Sequence, residues 1–153
     1  MKALELMNKN VLSCKHSDTA QHAATLMKQH DVGMLPVIEE GGKLVGVITD
    51  RDLSLKVTAE GRDPAHIRVH ECMTVKPISC SLKDSSRNIL ALMAKNQVRR
   101  IPVIDDQARL AGLVGIRDLI AHDATNARDI YLVLRRITAS KQKAAARRAR
   151  AAA

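Results

Sequence analysis

Two tetrapeptides with the same spacing hold the residues best suited to bind a ligand. Thr49 and Asp52 lie three residues apart after an apolar run, and Gly115 and Asp118 repeat that spacing after a second run. A helix that begins here offers free backbone N–H groups to an anion, and the acid three residues on can accept hydrogen bonds from ribose hydroxyls. The Thr49 spacing also matches a capping box, which only stabilises a helix. The pattern therefore predicts either nucleotide binding or plain helix capping.

These tetrapeptides belong to a repeat with an offset of 66 residues. Glu5–Leu53 aligns with Glu71–Leu119 without a gap, and 16 of the 49 aligned pairs are identical. The agreement is densest in the tripeptides Pro-Val-Ile and Arg-Asp-Leu. An ungapped match of this length predicts a structural unit that occurs twice.

Each copy has the pattern of a βαββα unit. The first strands are predicted at Val11–Cys14 and Pro77–Cys80, and Asp18 and Asp84 are the N-cap candidates for the helices that follow. The hairpin strands are predicted at Leu35–Ile38, Leu44–Ile48, Ile101–Ile104 and Leu110–Val114. The second helix of each copy then begins at the tetrapeptide.

The predicted fold class is α/β, of the α+β kind. One copy of about 50 residues is too small to bury a core well alone, so we expect the two copies to pack about a pseudo-twofold axis. The expected organisation is repeat 1 at 1–61, a linker at 62–69, repeat 2 at 70–124, a C-terminal helix at 125–140 and a basic Ala/Lys/Arg tail at 141–153.

The composition narrows the class of protein. Apolar residues make up 46% of the 153 residues, with no Trp or Phe and one Tyr, so the core must be aliphatic. No window is apolar enough for a membrane span, and the first residues lack the apolar stretch of a secretory signal. The three cysteines show no metal-ligand spacing, and we expect Cys14 and Cys80 to be small buried core residues. A cytoplasmic protein without a metal or a membrane partner is predicted.

The tail carries five of the nine net positive charges and no acid. Such a segment can touch the phosphates of a nucleic acid, but it has no aromatic residues for base stacking. A solubilising extension, either helical or disordered, fits the composition better. Nucleic-acid association through the tail is the less favoured alternative.

The order of strand, helix, hydrophobic-Pro-Val hairpin and Gly-h-h-Thr-x-x-Asp corner, in tandem, resembles the CBS-domain family, named after cystathionine β-synthase. The resemblance covers about Ala3 to Ala124. It implies a non-catalytic, energy-sensing regulatory module that binds AMP, ADP or ATP in the cleft between the repeats. NAD and S-adenosylmethionine are alternative ligands, and no covalent cofactor is implied. The family also suggests a homodimer whose state is read by a separate protein partner.

The family pattern maps onto two sites, each made from the corner of one copy and the first strand of the other. The first site is predicted to use Thr49, Arg51, Asp52, Thr74 and Ile78, and the second Asn8, Leu12, Arg100, Arg117 and Asp118. Met34 replaces the phosphate-binding arginine in the first site, and Gly115 replaces the hydroxyl residue in the second. We therefore expect unequal sites and favour the second, because a charge-assisted arginine contact is stronger than a neutral one.

Another function class stays open beside this one. A pair that forms a dimer but holds no ligand, as an interaction or stress-response protein, is consistent with the missing arginine and the missing hydroxyl. No nucleophile and base occur in a motif spacing, so no enzyme is predicted.

Overall fold

The chain divides into two compact units, and each combines segments of both sequence repeats. The computed structural model describes the backbone of residues 1–151 and the side chains of residues 1–139. The first-repeat unit comprises Asn10–Pro77 and Ile104–Ala111. The second-repeat unit comprises Met1–Lys9, Ile78–Val103 and the chain from Gly112 onward. Each unit thus contains the segment that precedes the first strand of the other repeat.

The elements follow the order predicted from the repeat. The helices are α1 (Ala3–Leu6), α2 (Ala20–His30), α3 (Asp50–Leu53), α4 (Val69–Cys72), α5 (Ser86–Asn96), α6 (Ile116–Ala121) and α7 (Ala127–Ala151). The strands are β1 (Cys14–Lys15), β2 (Met34–Ile38), β3 (Leu44–Thr49), β4 (Thr74–Val75), β5 (Cys80–Ser81), β6 (Arg100–Ile104) and β7 (Leu110–Gly115). A π-helical turn at Ser54–Thr58 continues α3. The mixed α/β fold with a repeated strand–helix–hairpin–helix order is confirmed.

The two sheets are built alike. In the first-repeat unit the strand order is β1-β2-β3-β4, with β1 parallel to β2 and the other neighbours antiparallel. The second sheet has the order β5-β6-β7. There a single bridge between Asn8 and Leu113 occupies the place that β4 has in the first sheet. The hairpin of each repeat therefore pairs with a short segment that precedes the first strand of the other repeat.

Glycine permits this close approach. A Cβ on Gly46 would lie 2.5 Å from Met73 Sδ and 3.0 Å from the Thr74 carbonyl oxygen. A Cβ on Gly112 would lie 2.5 Å from Met7 Sδ and 2.9 Å from the carbonyl oxygen of the next residue. Side chains at these two positions would push the added segments off the hairpins.

Each unit has its own aliphatic core. The first-repeat core includes Cys14, Ala23, Leu35, Val37, Ile48 and Cys72. The second-repeat core includes Leu6, Cys80, Ile89, Met93, Ile101, Val114 and Leu119. The prediction that Cys14 and Cys80 are buried core residues is confirmed.

The predicted N-caps were wrong by one residue. Thr19 Oγ1 accepts a hydrogen bond from the His22 N–H at 3.1 Å, and Ser85 Oγ accepts one from the Asn88 N–H at 3.2 Å. Asp18 and Asp84 instead accept from the backbone N–H groups of the residues three positions earlier, at 2.7 and 2.8 Å. The carboxylates therefore close the turn before the helix, and the hydroxyls cap the helix itself.

Other differences lie at the ends of the elements. The first strands are only two residues long, Cys14–Lys15 and Cys80–Ser81, so they begin at the last residue of each predicted run and extend one residue beyond it. The final helix α7 continues to Ala151, so the backbone of most of the basic tail is helical. The tail side chains lie outside the described residues, as do Ala152 and Ala153. Among the described residues, none of the helices combines the length and hydrophobicity needed to span a bilayer.

Candidate functional site

The first corner is the junction of β3 and α3. Thr49 Oγ1 accepts a hydrogen bond from the Asp52 N–H at 3.1 Å. Asp52 Oδ2 accepts in return from the Thr49 N–H at 3.0 Å and from the Thr49 hydroxyl at 2.9 Å. The capping box expected from the spacing is present, so one carboxylate oxygen of Asp52 already has two donors.

A lysine occupies the other oxygen of Asp52. Lys56 lies one turn later, and its Nζ is 2.9 Å from Asp52 Oδ1. The same ammonium group donates a hydrogen bond to the Cys72 carbonyl oxygen at 2.8 Å. The Asp52 side chain is only 15% exposed. Both carboxylate oxygens at the first corner therefore have partners within the unit.

The second corner, between β7 and α6, has the same backbone but fewer side-chain contacts. The Gly115 N–H donates to Asp118 Oδ2 at 2.7 Å. His122 is the counterpart of Lys56 in the second repeat. Its Nδ1 lies 2.9 Å from the backbone carbonyl oxygen of Asp118, so this nitrogen contacts the backbone of Asp118 and not its carboxylate. Within the part of the chain whose side chains are described, Asp118 Oδ1 has no hydrogen-bond or ion-pair partner. This oxygen is free to accept a hydrogen bond from a ligand.

Cations surround the second corner. Arg99, Arg100 and Arg117 are all exposed. Arg100 Cγ would lie 3.5 Å from a Cβ on Gly115, and the Arg99 carbonyl oxygen accepts from the Ile116 N–H at 3.1 Å. Arg99 and Arg100 therefore lie beside the corner, at the start of β6, which neighbours β7 in the sheet.

The first corner has an acid in the matching place. Gly33 and Met34 replace the two arginines, and the Gly33 carbonyl oxygen accepts from the Asp50 N–H at 3.1 Å. Asp50 itself replaces the apolar residue of the second corner. Arg51 is exposed, like its counterpart Arg117. The two corners thus share a backbone and differ in charge.

The remaining predicted residues separate into two pairs. Thr74 lies on β4 opposite Val47, and Asn8 pairs with Leu113 through two backbone hydrogen bonds of 2.9 and 3.0 Å. These two residues share a unit with the corner that each was predicted to serve. Ile78 and Leu12 belong to the other unit in each case, Ile78 being 38% exposed and Leu12 packing against the first-repeat core. The ligand contacts of these residues stay predictions.

A cavity of about 630 Å³ is lined by His16, Ser17, Arg68 and His70, none of which belongs to either corner. The two histidine rings are 6.2 Å apart. Among the described residues, no group of three or more His, Cys, Asp or Glu side chains is placed to hold a metal ion.

Lys56 is the residue that the sequence reasoning missed. An acid and a lysine four residues apart form ion pairs on a helix, and Asp52 and Lys56 have that spacing. That signal was available, whereas the contact with the Cys72 carbonyl oxygen depends on the packing of a segment 16 residues away.

The family model of the CBS domain matches residues 3–58 and 69–124 of this chain. The chain therefore belongs to the CBS-domain family, and the resemblance seen in its repeats is confirmed. A pair of such domains is a regulatory module.

Two relatives and two solved structures illustrate the range of this family. The CBS domain-containing protein YhcV of Bacillus subtilis is 40% identical over 122 residues, which are 80% of this chain and 85% of that protein. Hypoxic response protein 1 of Mycobacterium tuberculosis is 34% identical over 120 residues, 78% of this chain and 83% of that protein. The crystal structure of Hypoxic Response Protein I with two coordinated zinc ions has a TM-score of 0.74 and covers 80% of this chain and 98% of its own. The CBS domain pair of protein MJ0100, in complex with 5′-methylthioadenosine and S-adenosyl-L-methionine, is 25% identical with a TM-score of 0.70, over 80% of this chain and 99% of that chain.

Proposed function

We propose that this chain is a regulatory module that binds an adenine nucleotide at the second corner and passes the bound state to a separate protein. The observation that carries the proposal is the free Asp118 Oδ1 beside the exposed arginines of β6 and α6. The adenosine compounds held by the CBS domain pair of MJ0100 support an adenosine-type ligand.

Each part of a nucleotide has a partner at this corner. The Asp118 carboxylate would accept hydrogen bonds from the ribose hydroxyls, as acids do in dinucleotide folds. Arg100 and Arg117 would hold the phosphates through charge-assisted hydrogen bonds. Gly115 presents no side chain, so a phosphate can approach the backbone closely. The base would lie against aliphatic side chains and backbone near Asn8, because Tyr131 is the only aromatic residue of Phe, Trp or Tyr type.

Calorimetry with AMP, ADP, ATP, NAD and S-adenosylmethionine tests this function. We expect the nucleotides that carry phosphate to bind, and Asp118→Asn to weaken binding at least tenfold, because losing a hydrogen bond to a charged group costs about 1.5–3 kcal/mol. Asp106→Asn is the matched control, since Asp106 lies exposed in the β6–β7 turn. Absence of binding heat for all five ligands at about 0.1 mM protein, where a millimolar site should begin to respond, would contradict the proposal.

The arrangement in the cell is part of the same proposal. We expect a cytoplasmic homodimer that responds to adenylate energy status and acts on its partner in trans. A native mass spectrum of the protein purified from cells would report the oligomer mass and any retained nucleotide together. A monomer mass would contradict the dimer, independently of the ligand.

A ligand-free interaction or stress-response protein is the second candidate. The first corner favours it, because both oxygens of Asp52 have internal partners. Under this function, the double variant Asp52→Ala and Asp118→Ala would change neither the function nor the effect of nucleotide on thermal stability. A nucleotide-dependent rise in Tm that the double variant abolishes would exclude this candidate.

A further inference from the structure

The duplication provides an internal comparison for the two aspartates. Asp52, Lys56 and Cys72 of the first-repeat unit match Asp118, His122 and Leu6 of the second at the same offset of 66 residues. Lys56 Nζ bridges Asp52 Oδ1 and the Cys72 carbonyl oxygen at 2.9 and 2.8 Å. The imidazole of His122 makes no such bridge, because its Nδ1 contacts backbone. One corner thus holds an internal cation on the carboxylate that its twin leaves open.

A ribose at the first corner would have to compete with this cation. Asp52 Oδ2 is already shared between the N–H and the hydroxyl of Thr49. Only Oδ1 is left for a diol, and its present partner is an ammonium group. Both donors would make charge-assisted hydrogen bonds to the carboxylate, but only the ammonium group also brings an opposite charge to it. At a side chain that is 15% exposed, this opposite charge is weakly screened by water, so the lysine keeps the oxygen.

Moving the lysine away would cost more than one bond. Asp52 is 15% exposed, and a carboxylate that loses its cation at a poorly hydrated position is destabilised. The ammonium group would also lose the Cys72 carbonyl oxygen. For a phosphate the first corner keeps Arg51, the counterpart of Arg117, but it has Met34 in place of Arg100 and the acid Asp50 in place of an apolar residue.

We infer that Lys56 is a specificity-determining residue that closes the first corner to nucleotides, so that each chain binds one nucleotide and binds it at the second corner. This inference rests on the proposed function. In this role the Lys56 ammonium group binds the Asp52 carboxylate oxygen that a ribose hydroxyl would otherwise use.

Binding stoichiometry with ATP tests the inference on the full-length chain. We expect one ATP per chain for the wild type and two for Lys56→Met, because the variant frees Asp52 Oδ1 while keeping a side chain of similar length. His122→Met is the matched control at the equivalent position and should still bind one ATP. Lys56→Gln keeps a donor for the Cys72 carbonyl oxygen without the charge, so it gives the same test if Lys56→Met does not fold.

The outcomes separate the inference from the proposed function. Two ATP molecules on the wild type, or one on both Lys56 variants, would overturn the role of Lys56 and leave nucleotide binding intact. ATP binding by the Lys56 variants alone would support the closing role and overturn the second corner as the nucleotide site. No binding by any of these proteins would overturn both.

Discussion

Asp52 and Asp118 occupy the same place in the backbone but face different donors. Lys56 is bound to the first carboxylate, whereas the second keeps one oxygen open beside Arg100 and Arg117. The neighbouring residues differ in charge in the same direction, since the first corner has the acidic Asp50 and the second has Arg99 and Arg100. Single residues have thus altered the charge of a corner while the geometry of strand and helix stayed the same.

The cysteines lead to a prediction about alkaline solution. Burial raises the pKa of Cys14 and of Cys80 from 9.0 to about 12, with a smaller contribution from the nearby Asp18 or Asp84. Above about pH 9 the unfolded chain loses protons that the folded chain keeps, so the free energy of unfolding falls as the pH rises towards 12. Each thiol contributes at most about 1.4 kcal/mol per pH unit. Urea titrations between about pH 8 and 10.5 should show this decline.

The double variant Cys14→Ala and Cys80→Ala is the control for that decline. It should be less stable at about pH 8, because removing buried sulfur leaves cavities. Its stability should nevertheless fall less steeply with pH than that of the wild type. Parallel curves for the two proteins would show that other groups cause the alkaline loss.

At the scale of elements, hydroxyl residues set where the first long helix of each repeat begins. Thr19 and Ser85 cap α2 and α5, and the aspartate just before each one closes the preceding turn. Two adjacent residues therefore stabilise the start of each helix, a carboxylate in the turn before it and a hydroxyl at its N-cap.

Substitution of the cap should weaken α2. Thr19→Ala removes the acceptor for the His22 N–H and should lower the free energy of unfolding by about 1 kcal/mol. Thr25→Ala is the matched control, because Thr25 is exposed in the middle of the same helix and alanine is a better helix former. Equal losses in urea unfolding for the two variants would contradict the assignment of the cap.

The elements also show which features local sequence can predict. The hairpins and corners were predicted to within a residue, because their β-rich runs, Pro-Val pairs and Thr-x-x-Asp spacing are local signals. The caps were misplaced, because Asp18 and Thr19 are both good N-cap residues and only the fold separates them. The strand β4 was not predicted, since its two residues pair only where Gly46 lets them approach β3.

The same division applies to the candidate site. Asp52 and Asp118 were found because the spacing within each corner is local. Lys56 was missed: its spacing from Asp52 is also a local signal, but its contact with the Cys72 carbonyl oxygen of α4 depends on the packing of a distant segment. Unequal sites were expected from charge alone, and the structure adds an ion pair as a second reason.

For the whole molecule, the chain order and the compact units do not coincide. Met1–Lys9 lie at the start of the first repeat but belong to the second-repeat unit. The Ala3 and Leu4 N–H groups donate to the carbonyl oxygens of Asp84 and Leu82 at 2.8 and 3.1 Å. Leu6 is 1% exposed in the second-repeat core. The start of the chain therefore stabilises a unit whose other segments begin about seventy residues later.

A substitution near the start of the chain should act on that distant unit. Leu6→Ala should lower the free energy of unfolding by about 2–5 kcal/mol, the range for truncating a large buried aliphatic side chain. The amide hydrogen-exchange rate should rise more in α5 than in α2, although α2 is nearer to Leu6 in sequence. Leu4→Ala is the control, since Leu4 is 48% exposed, and should change little. Equal quickening in α2 and α5 after Leu6→Ala would contradict this assignment.

The interleaved segments bear on how the chain folds while it is being synthesised. Domains generally fold as they leave the ribosome, the N-terminal one first. Here the first-repeat unit still lacks Ile104–Ala111 when its own repeat has been translated, and Met1–Lys9 have no core to join until the second repeat emerges. We therefore expect Ala3 and Leu6 to stay exposed to solvent until Ile78–Val103 and the chain from Gly112 onward have been made.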